Sequence, residues 1–196
     1  GRTAIIGGMA DNSSQGGAWI FTGDGLGNWT QEGNKLVGTG AVGAARQGVS
    51  VAISADGNTA IVGGNYDNGS QGAAWVYTRS GNTWSQQGNK LVGSGASGTF
   101  IYQGQSVSIS ADGNTVVIGG PSDNNAQGAS WVFTRSGNAW TQQGTKLVGF
   151  GSIGPLVGQG SGVALSADGR TMMLGGYYDD NDLGAAWAFT HLPVQT

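Results

Sequence analysis

Hydrophobic and polar residues alternate along short stretches of this chain, with tight turns between the stretches. Residues 47–54 read QGVSVAIS, with valine or isoleucine at every second position, and this alternation predicts a β-strand, strand A. An Asp-Gly hairpin signal follows, and the apolar run TAIVGG at 59–64 predicts a strand B that is buried on both faces. AAWVYT at 73–78 predicts strand C, and TWSQQGNKLVG at 83–93 predicts a more polar strand D. No stretch has helical periodicity.

The four-strand pattern returns at a constant step. Asp56, Asp112 and Asp168 follow one another at intervals of 56 residues, and a tryptophan of strand C keeps the same step. The repeats cover 1–56, 57–112, 113–168 and, in part, 169–196. Four antiparallel strands per repeat, with the last one more polar, are typical of a β-propeller blade. We therefore expect an all-β fold, with residues 1–196 forming a single β-propeller domain, or a propeller fragment, of about four blades.

The predicted strands do not fill every blade. The opening GRTAIIGG corresponds to strand B, and it lacks the SAD triplet that precedes the later copies. The expected order is therefore BCD, ABCD, ABCD and ABC, or fourteen strands. Three arrangements remain open: a compact ring of four blades, a part of a longer ring, and a chain that completes its edges with a neighbouring copy, since open strand edges seek partners.

The strings QGVSVAISADGNTAIVGG and DNGSQGAAWVY resemble an FG-GAP repeat, the blade unit of the integrin α-subunit propeller and of many bacterial extracellular proteins. Gln-Gly at 47–48, 103–104 and 159–160 stands where that family has Phe-Gly, and Gly-Gly at 63–64, 119–120 and 175–176 stands where it has Gly-Ala-Pro. The resemblance implies a propeller that lies outside the cell or on its surface.

The sequence departs from this family at the connection between strands A and B, where the family often has an aspartate-rich calcium loop. Here the connection is only SADGNT, and one carboxylate cannot supply the roughly six to eight oxygens that calcium takes. We predict no metal at these hairpins. Asp56, Asp112 and Asp168 are instead expected to form the turns, with side chains that bond to nearby backbone.

The charge of the chain and its few reactive side chains argue against a nucleic-acid-binding protein and against an enzyme. The 8 lysines and arginines are scattered and the net charge is −3, so we expect no nucleic-acid partner. There is no cysteine, and the one histidine, His191, lies in a terminal segment where we expect it to be solvated. A nucleophile with an oriented base cannot be assembled by spacing from these residues, and we predict that the protein is not an enzyme. No apolar run approaches the ~18 residues of a membrane span.

Differences between the repeats indicate which face of the propeller carries the binding site. In an up-and-down blade the A–B and C–D turns share one face, and the B–C and D–A connections share the other. The first set is short and nearly invariant, whereas the second is longer and varies from repeat to repeat, as binding loops do. Arg46, Phe100 and Tyr102 break the repeat there, as does the segment YYDDND at 177–182.

That segment combines Tyr177 and Tyr178 with Asp179, Asp180 and Asp182. Rings and oxygen acceptors suit sugar recognition, because a ring stacks on a sugar and the acceptors take its hydroxyls. The three carboxylates are also calcium candidates if further ligands converge on them. A turn explains them as well, as Asx-turns explain the Asp-Asn pairs at 11–12, 67–68 and 123–124.

We therefore expect a non-enzymatic extracellular propeller that binds or adheres through the face carrying the B–C and D–A connections. Its expected ligand is a glycan or a protein surface, with no cofactor other than calcium. The residues expected to bind it are Arg46, Phe100, Tyr102, Tyr177, Tyr178, Asp179, Asp180 and Asp182. The alternative is a structural building block that assembles with copies of itself through open blade edges. Local packing remains an alternative role for Phe100 and Tyr102.

Overall fold

The computed structural model describes residues 1–190 and 192, and these residues form four antiparallel sheets, one for each repeat. His191 lies outside the described residues. Consecutive sheets contact one another through their inner strands. The strands are β1 (Thr3–Gly7), β2 (Ala18–Gly23) and β3 (Trp29–Leu36) in the first blade; β4 (Ser50–Ile53), β5 (Thr59–Gly64), β6 (Ala73–Ser80) and β7 (Thr83–Gln86) in the second; β8 (Ser106–Ile109), β9 (Thr115–Gly120), β10 (Ala129–Ser136) and β11 (Ala139–Gln142) in the third; and β12 (Gly162–Leu165), β13 (Met172–Gly176) and β14 (Ala185–Phe189) in the fourth.

The order of strands confirms the prediction of BCD, ABCD, ABCD and ABC, because each sheet is built from sequential antiparallel neighbours. Strand D is less regular than the predicted span of 83–93. In the second blade β7 ends at Gln86, and Leu91 then returns as an isolated bridge to Ala74. A glycine with positive φ lies at this break, Gly88 at 74°, and its counterpart Gly33 at 72° lies within the register shift of β3.

Each B–C connection contains a single helical turn that the sequence pattern did not predict. The four turns are α1 (Asp11–Ser14), α2 (Asp67–Ser70), α3 (Asp123–Ala126) and α4 (Asp179–Asp182). Their two central residues have left-handed backbone, with φ of 49° at Asn68 and 64° at Gly69 in α2. Asparagine and glycine tolerate this conformation better than most residues. Among the described residues, no helix is long and apolar enough to cross a membrane.

A tryptophan of strand C fills each junction between neighbouring blades. Trp75 is fully buried, and its indole lies against Gly38 of the D–A connection, so closely that a Cβ at position 38 would stand 2.1 Å from the ring. The indole N–H donates to the carbonyl oxygen of Thr39 at 2.9 Å. Trp131 and Trp187 repeat this arrangement in the next two blades. Only glycine leaves enough room for the ring at this position.

A buried glutamine holds the same glycine from its other side. The side-chain Oε1 of Gln47 accepts a hydrogen bond from the backbone N–H of Gly38 at 2.6 Å, and its Nε2 donates to the carbonyl of Gly38 at 3.2 Å. Gln103 and Gln159 make the same pair of bonds one and two repeats later. We call these three glutamines, each with the glycine it grips, the glutamine clamps.

The A–B hairpins confirm the role predicted for their aspartates. Asp56 Oδ1 accepts hydrogen bonds from the hydroxyl of Ser54 at 2.5 Å and from the backbone N–H of Asn58 at 2.9 Å. Asp112 and Asp168 close their own hairpins in the same way. Burial by itself raises the pKa of Asp56, but the hydrogen bonds from Ser54 and Asn58 outweigh it, and the net pKa is lowered.

Replacing Gln103 by methionine keeps a side chain of similar length and removes the clamp on Gly93. A buried N–H and a buried C=O then lose their partners, at about 1–3 kcal/mol each, so we expect the free energy of unfolding to fall by about 2–4 kcal/mol. Urea unfolding followed by tryptophan fluorescence measures the loss. The matched control is Gln31→Met, an exposed position in β3, which is expected to change stability by less than about 0.5 kcal/mol. Equal stability of the two variants would contradict the structural role of the clamp.

Candidate ligand-binding cleft

The B–C and D–A connections meet on one face, as the sequence predicted, and an open cleft of about 730 Å³ lies between them. All four blades contribute to its lining, through Met9 in the first, Arg46 and Tyr66 in the second, Tyr102 in the third and Tyr177 in the fourth. The cleft therefore belongs to the assembled propeller and not to any single blade.

The cleft is lined by equivalent positions of successive repeats. One position directly follows the Gly-Gly pair at the end of strand B, and two others flank the Gln-Gly pair before strand A. The residues after Gly-Gly are Met9, Asn65, Pro121 and Tyr177, those before Gln-Gly are Arg46, Tyr102 and Gly158, and those after it are Val49, Gln105 and Ser161. The sequence thus differs between repeats where it lines the cleft, and it is constant in the adjoining glycines and glutamines.

The position before each clamp glutamine has left-handed backbone. Its φ is 55° at Arg46, 60° at Tyr102 and 70° at Gly158. Glycine accepts this conformation freely, whereas other residues pay about 1 kcal/mol or more. The conformation is fixed by neighbouring backbone, since the N–H of Arg46 donates to the carbonyl of Ser14 in the preceding blade at 2.9 Å. Strained residues of this kind concentrate at functional sites.

The second, third and fourth blades each contribute tyrosine rings to the lining. The guanidinium carbon of Arg46 lies 3.7 Å from the centroid of the Tyr66 ring. The centroids of Tyr66 and Tyr102 are 5.5 Å apart, and those of Tyr177 and Tyr178 are 4.0 Å apart. A hydrogen bond with Tyr178, together with partial burial, raises the pKa of Tyr177.

Two amides add polar groups to the lining. Asn65 is only 6% exposed, and its Nδ2 donates to Oε1 of Gln105 at 2.5 Å. The other amide atom of Asn65, Oδ1, is buried and has no hydrogen-bond partner among the described residues. A buried acceptor without a donor costs about 1–3 kcal/mol and is uncommon in folded proteins. This oxygen is closed off from solvent, so the cost lies beneath the surface of the cleft.

The predicted binding residues divide into those inside the cleft and those outside it. Arg46, Tyr102, Tyr177 and Tyr178 line it. Phe100 lies beside it, 56% exposed, with its ring stacked on Tyr102 at 6.3 Å between centroids, and it borders an adjoining groove of about 410 Å³. The packing role that the sequence left open for Phe100 is thus a contact with one of the cleft residues.

The Asp-Asn pairs of the B–C connections do not act as local turn formers through their aspartates. Asp67 is buried, its Oδ1 accepts a hydrogen bond from the backbone N–H of Val42 at 2.7 Å, and its Oδ2 accepts one from Lys90 at 2.5 Å. Asp123 makes the equivalent bonds in the third blade. The Asx-turn interpretation was wrong for these two residues, because their carboxylates join separate connections to one another.

The carboxylates of the fourth blade do not form a common site. Asp179 is buried, and its Oδ1 accepts a hydrogen bond from the backbone N–H of Ile153 at 2.7 Å. Asp180 and Asp182 lie in α4 with positive φ of 49° and 70°. Over residues 1–190 and 192, no three acidic or histidine side chains are grouped so that they could hold a metal ion. Asp179 therefore has the same loop-joining position as Asp67 and Asp123.

Asn65, Tyr66 and Gln105 are among the cleft residues that the sequence prediction missed. Their signal was present in the repeats, since each occupies a position that varies between copies beside the constant Gly-Gly or Gln-Gly. A comparison of the repeats position by position would have identified them.

No protein-family model matches the chain, and no curated protein matches it. The resemblance to FG-GAP repeats therefore stays a prediction. Solved structures do match. TolB from Acinetobacter baumannii is 11% identical, with a TM-score of 0.50 over 100% of this chain and 42% of its own. The GH74 xyloglucanase from Xanthomonas campestris is 13% identical, with a TM-score of 0.54 over 97% of this chain and 27% of its own.

A protein of unknown function from Desulfotomaculum acetoxidans is also similar, with 17% identity and a TM-score of 0.52 over 89% of this chain and 47% of its own. The chain thus spans less than half the length of each of these three proteins. At such low identity the likeness concerns the fold alone. Together with the four sequential antiparallel sheets, it identifies the chain as a β-propeller domain.

Proposed function

We propose that this protein is a non-enzymatic, extracellular binding propeller that takes a glycan in the cleft. The observation that carries the proposal is the coincidence between the cleft and the positions that differ among the repeats. Packing alone favours the same residue in every blade, as it does for the clamp glutamines and for the tryptophans of strand C. Different residues at equivalent positions are what recognition of an asymmetric ligand requires.

The chemistry of the lining suits a saccharide. Tyr66, Tyr102 and Tyr177 offer ring faces for the apolar side of a sugar. Asn65 and Gln105 offer amide donors and acceptors for its hydroxyls. The volume of about 730 Å³ falls in the range of roughly 300–1,000 Å³ that is common for sites of small ligands.

The distribution of carboxylates supports binding without hydrolysis. Glycosidases use a pair of carboxylates on either side of the scissile bond. Asp179 and Asp182 are two carboxylates of one B–C connection, and Asp179 is engaged with the backbone of Ile153. Among the described residues that line the cleft, the charged one is Arg46, which supplies no acid or base for such a reaction.

A second candidate function is self-assembly, and the outer faces of the first and fourth blades favour it. Ile6 is 55% exposed, although its counterpart Val62 in the second blade is fully buried. Met173 is 44% exposed, although its counterpart Ile61 is fully buried. These two surfaces correspond to the two sides of the junctions inside the chain. A second copy would therefore offer each of them a complementary surface, in a head-to-tail arrangement.

For the glycan site we predict that Tyr66→Ala and Tyr102→Ala each weaken saccharide binding by roughly tenfold, since an aromatic contact contributes about 0.5–1.5 kcal/mol beyond its buried area. A glycan array identifies the saccharide, and isothermal titration calorimetry measures its affinity. Trp29→Ala is the matched control, because Trp29 is an exposed aromatic residue at the start of β3 and does not line the cleft. Failure to bind any saccharide, or an equal loss in Trp29→Ala, would contradict the proposal.

For self-assembly we predict oligomers whose native mass is a multiple of the 19.7 kDa chain, with Met173→Lys returning the protein to monomer because a charge in a closed apolar junction is costly. Native mass spectrometry across a dilution series gives the masses. The control is Leu26→Lys, an exposed apolar residue between β2 and β3. A monomer at every concentration would rule out this second candidate and leave the glycan site unaffected.

A further inference from the structure

We infer that the glycan bound in the cleft is an acidic saccharide, with a carboxylate on its sugar ring, and that Arg46 binds this carboxylate. The inference rests on the proposed function and specifies the ligand class for the same site. Arg46 is the charged residue among those described that line the cleft.

Arg46 differs from the other arginines of the blade junctions in its partners. Arg79 pairs with Glu32 at 3.0 Å, and Arg135 donates to the side chains of Asn114 and Gln87 at distances of 2.8 to 3.2 Å. No carboxylate of the described residues forms an ion pair with Arg46. In a chain with more acidic than basic residues, this cation faces the cleft without a counter-charge.

The guanidinium of Arg46 is held in place before any ligand arrives. Its backbone is fixed in the left-handed conformation by the bond to Ser14, and its guanidinium carbon lies 3.7 Å from the centre of the Tyr66 ring. A guanidinium that lies over a ring keeps its N–H donors around its edge, where a carboxylate can accept two of them at once. The stacked arrangement therefore leaves the recognition edge available.

The neighbouring groups favour a sugar carboxylate over other anions. The rings of Tyr66 and Tyr102 pack on each other beside Arg46, with centroids 5.5 Å apart, and they offer an aromatic surface against which a saccharide ring that carries the charge can pack. A phosphate, with a charge of about −1.5 to −2, would call for more cations than the single arginine in this lining.

The experiment compares acidic saccharides with matched neutral ones. Oligosaccharides of polygalacturonate, alginate and hyaluronan, each with its carboxyl-reduced form, are titrated into the protein by isothermal titration calorimetry. We expect at least one acidic series to bind, and its affinity to fall about 10- to 100-fold on reduction of the carboxylate, as expected for the loss of charge-assisted hydrogen bonds. Raising the salt concentration should lower the affinity for the acidic ligand and leave the affinity for the reduced ligand nearly unchanged.

Substitutions test the residue itself. The Arg46→Gln variant should bind the acidic ligand with an affinity 10- to 100-fold lower, and its affinity for the reduced ligand should change little. Arg46→Lys should lie between, because an ammonium keeps the charge but cannot make the planar two-point contact. Arg170→Gln removes an equal charge from an exposed A–B hairpin on the opposite face and should bind as the unaltered protein does. Urea unfolding of each variant shows whether its fold is intact.

The possible outcomes distinguish the claim that the cleft binds a glycan from the claim that this glycan is acidic. Equal affinity for acidic and reduced ligands, or binding of neutral glycans alone, would overturn the acidic class while the glycan site stands. Unchanged affinity in Arg46→Gln would overturn the role of Arg46. Binding of no saccharide, acidic or neutral, would overturn the proposed function and this inference with it. The comparison of acidic and reduced ligands uses the unaltered protein, so it decides the ligand class even if Arg46→Gln fails to fold.

Discussion

A glutamine amide that grips one backbone glycine holds each blade of this propeller to the next. The amide satisfies both the N–H and the C=O of that glycine in a place that water does not reach. The gripped glycine also supports the indole of the following blade, with no room for a side chain. Because the two contacts share one residue, the D–A connection, the clamp and the tryptophan must form together. The repeats are identical at the gripped glycine, the clamp glutamine and the tryptophan, and they differ in the rest of the D–A connection.

The residues before the clamps line the cleft. The residue before each clamp glutamine has left-handed backbone, and the chain places Arg46 and Tyr102 there, whereas glycine, which stands at position 158, adopts this backbone without strain. The left-handed backbone costs about 1 kcal/mol or more at each of those two residues, and the hydrogen bonds of the neighbouring clamps offset this cost. The residues that hold the blades together and the residues that line the cleft are thus neighbours in the sequence. The glutamine joins two blades, and the residue before it lines the cleft.

Much of this arrangement could be predicted from sequence because it is local. Period-two alternation and the constant step of the repeats predicted the strands and the blade order, and the differing connections identified the face that carries Arg46, Tyr102 and Tyr177. What could not be predicted depends on contacts between distant connections. Asp67 resembles a turn former in sequence, but its carboxylate bonds to Val42 and Lys90. The amide pair of Asn65 and Gln105 spans 40 residues, and the break of strand D at Gln86 arises where a positive-φ glycine follows.

The most direct measurement is a ¹⁵N–¹H NMR titration of the protein with the saccharide that binds it most tightly, because each blade carries its own internal control. Binding in the cleft predicts that the amide signals of Arg46, Asn65 and Tyr102 shift with ligand concentration. The amides of Gly57 and Gly113, in the A–B hairpins of the opposite face, should keep their positions. Shifts confined to those hairpins, with the cleft signals unmoved, would show that the varying positions of the repeats do not form the binding site.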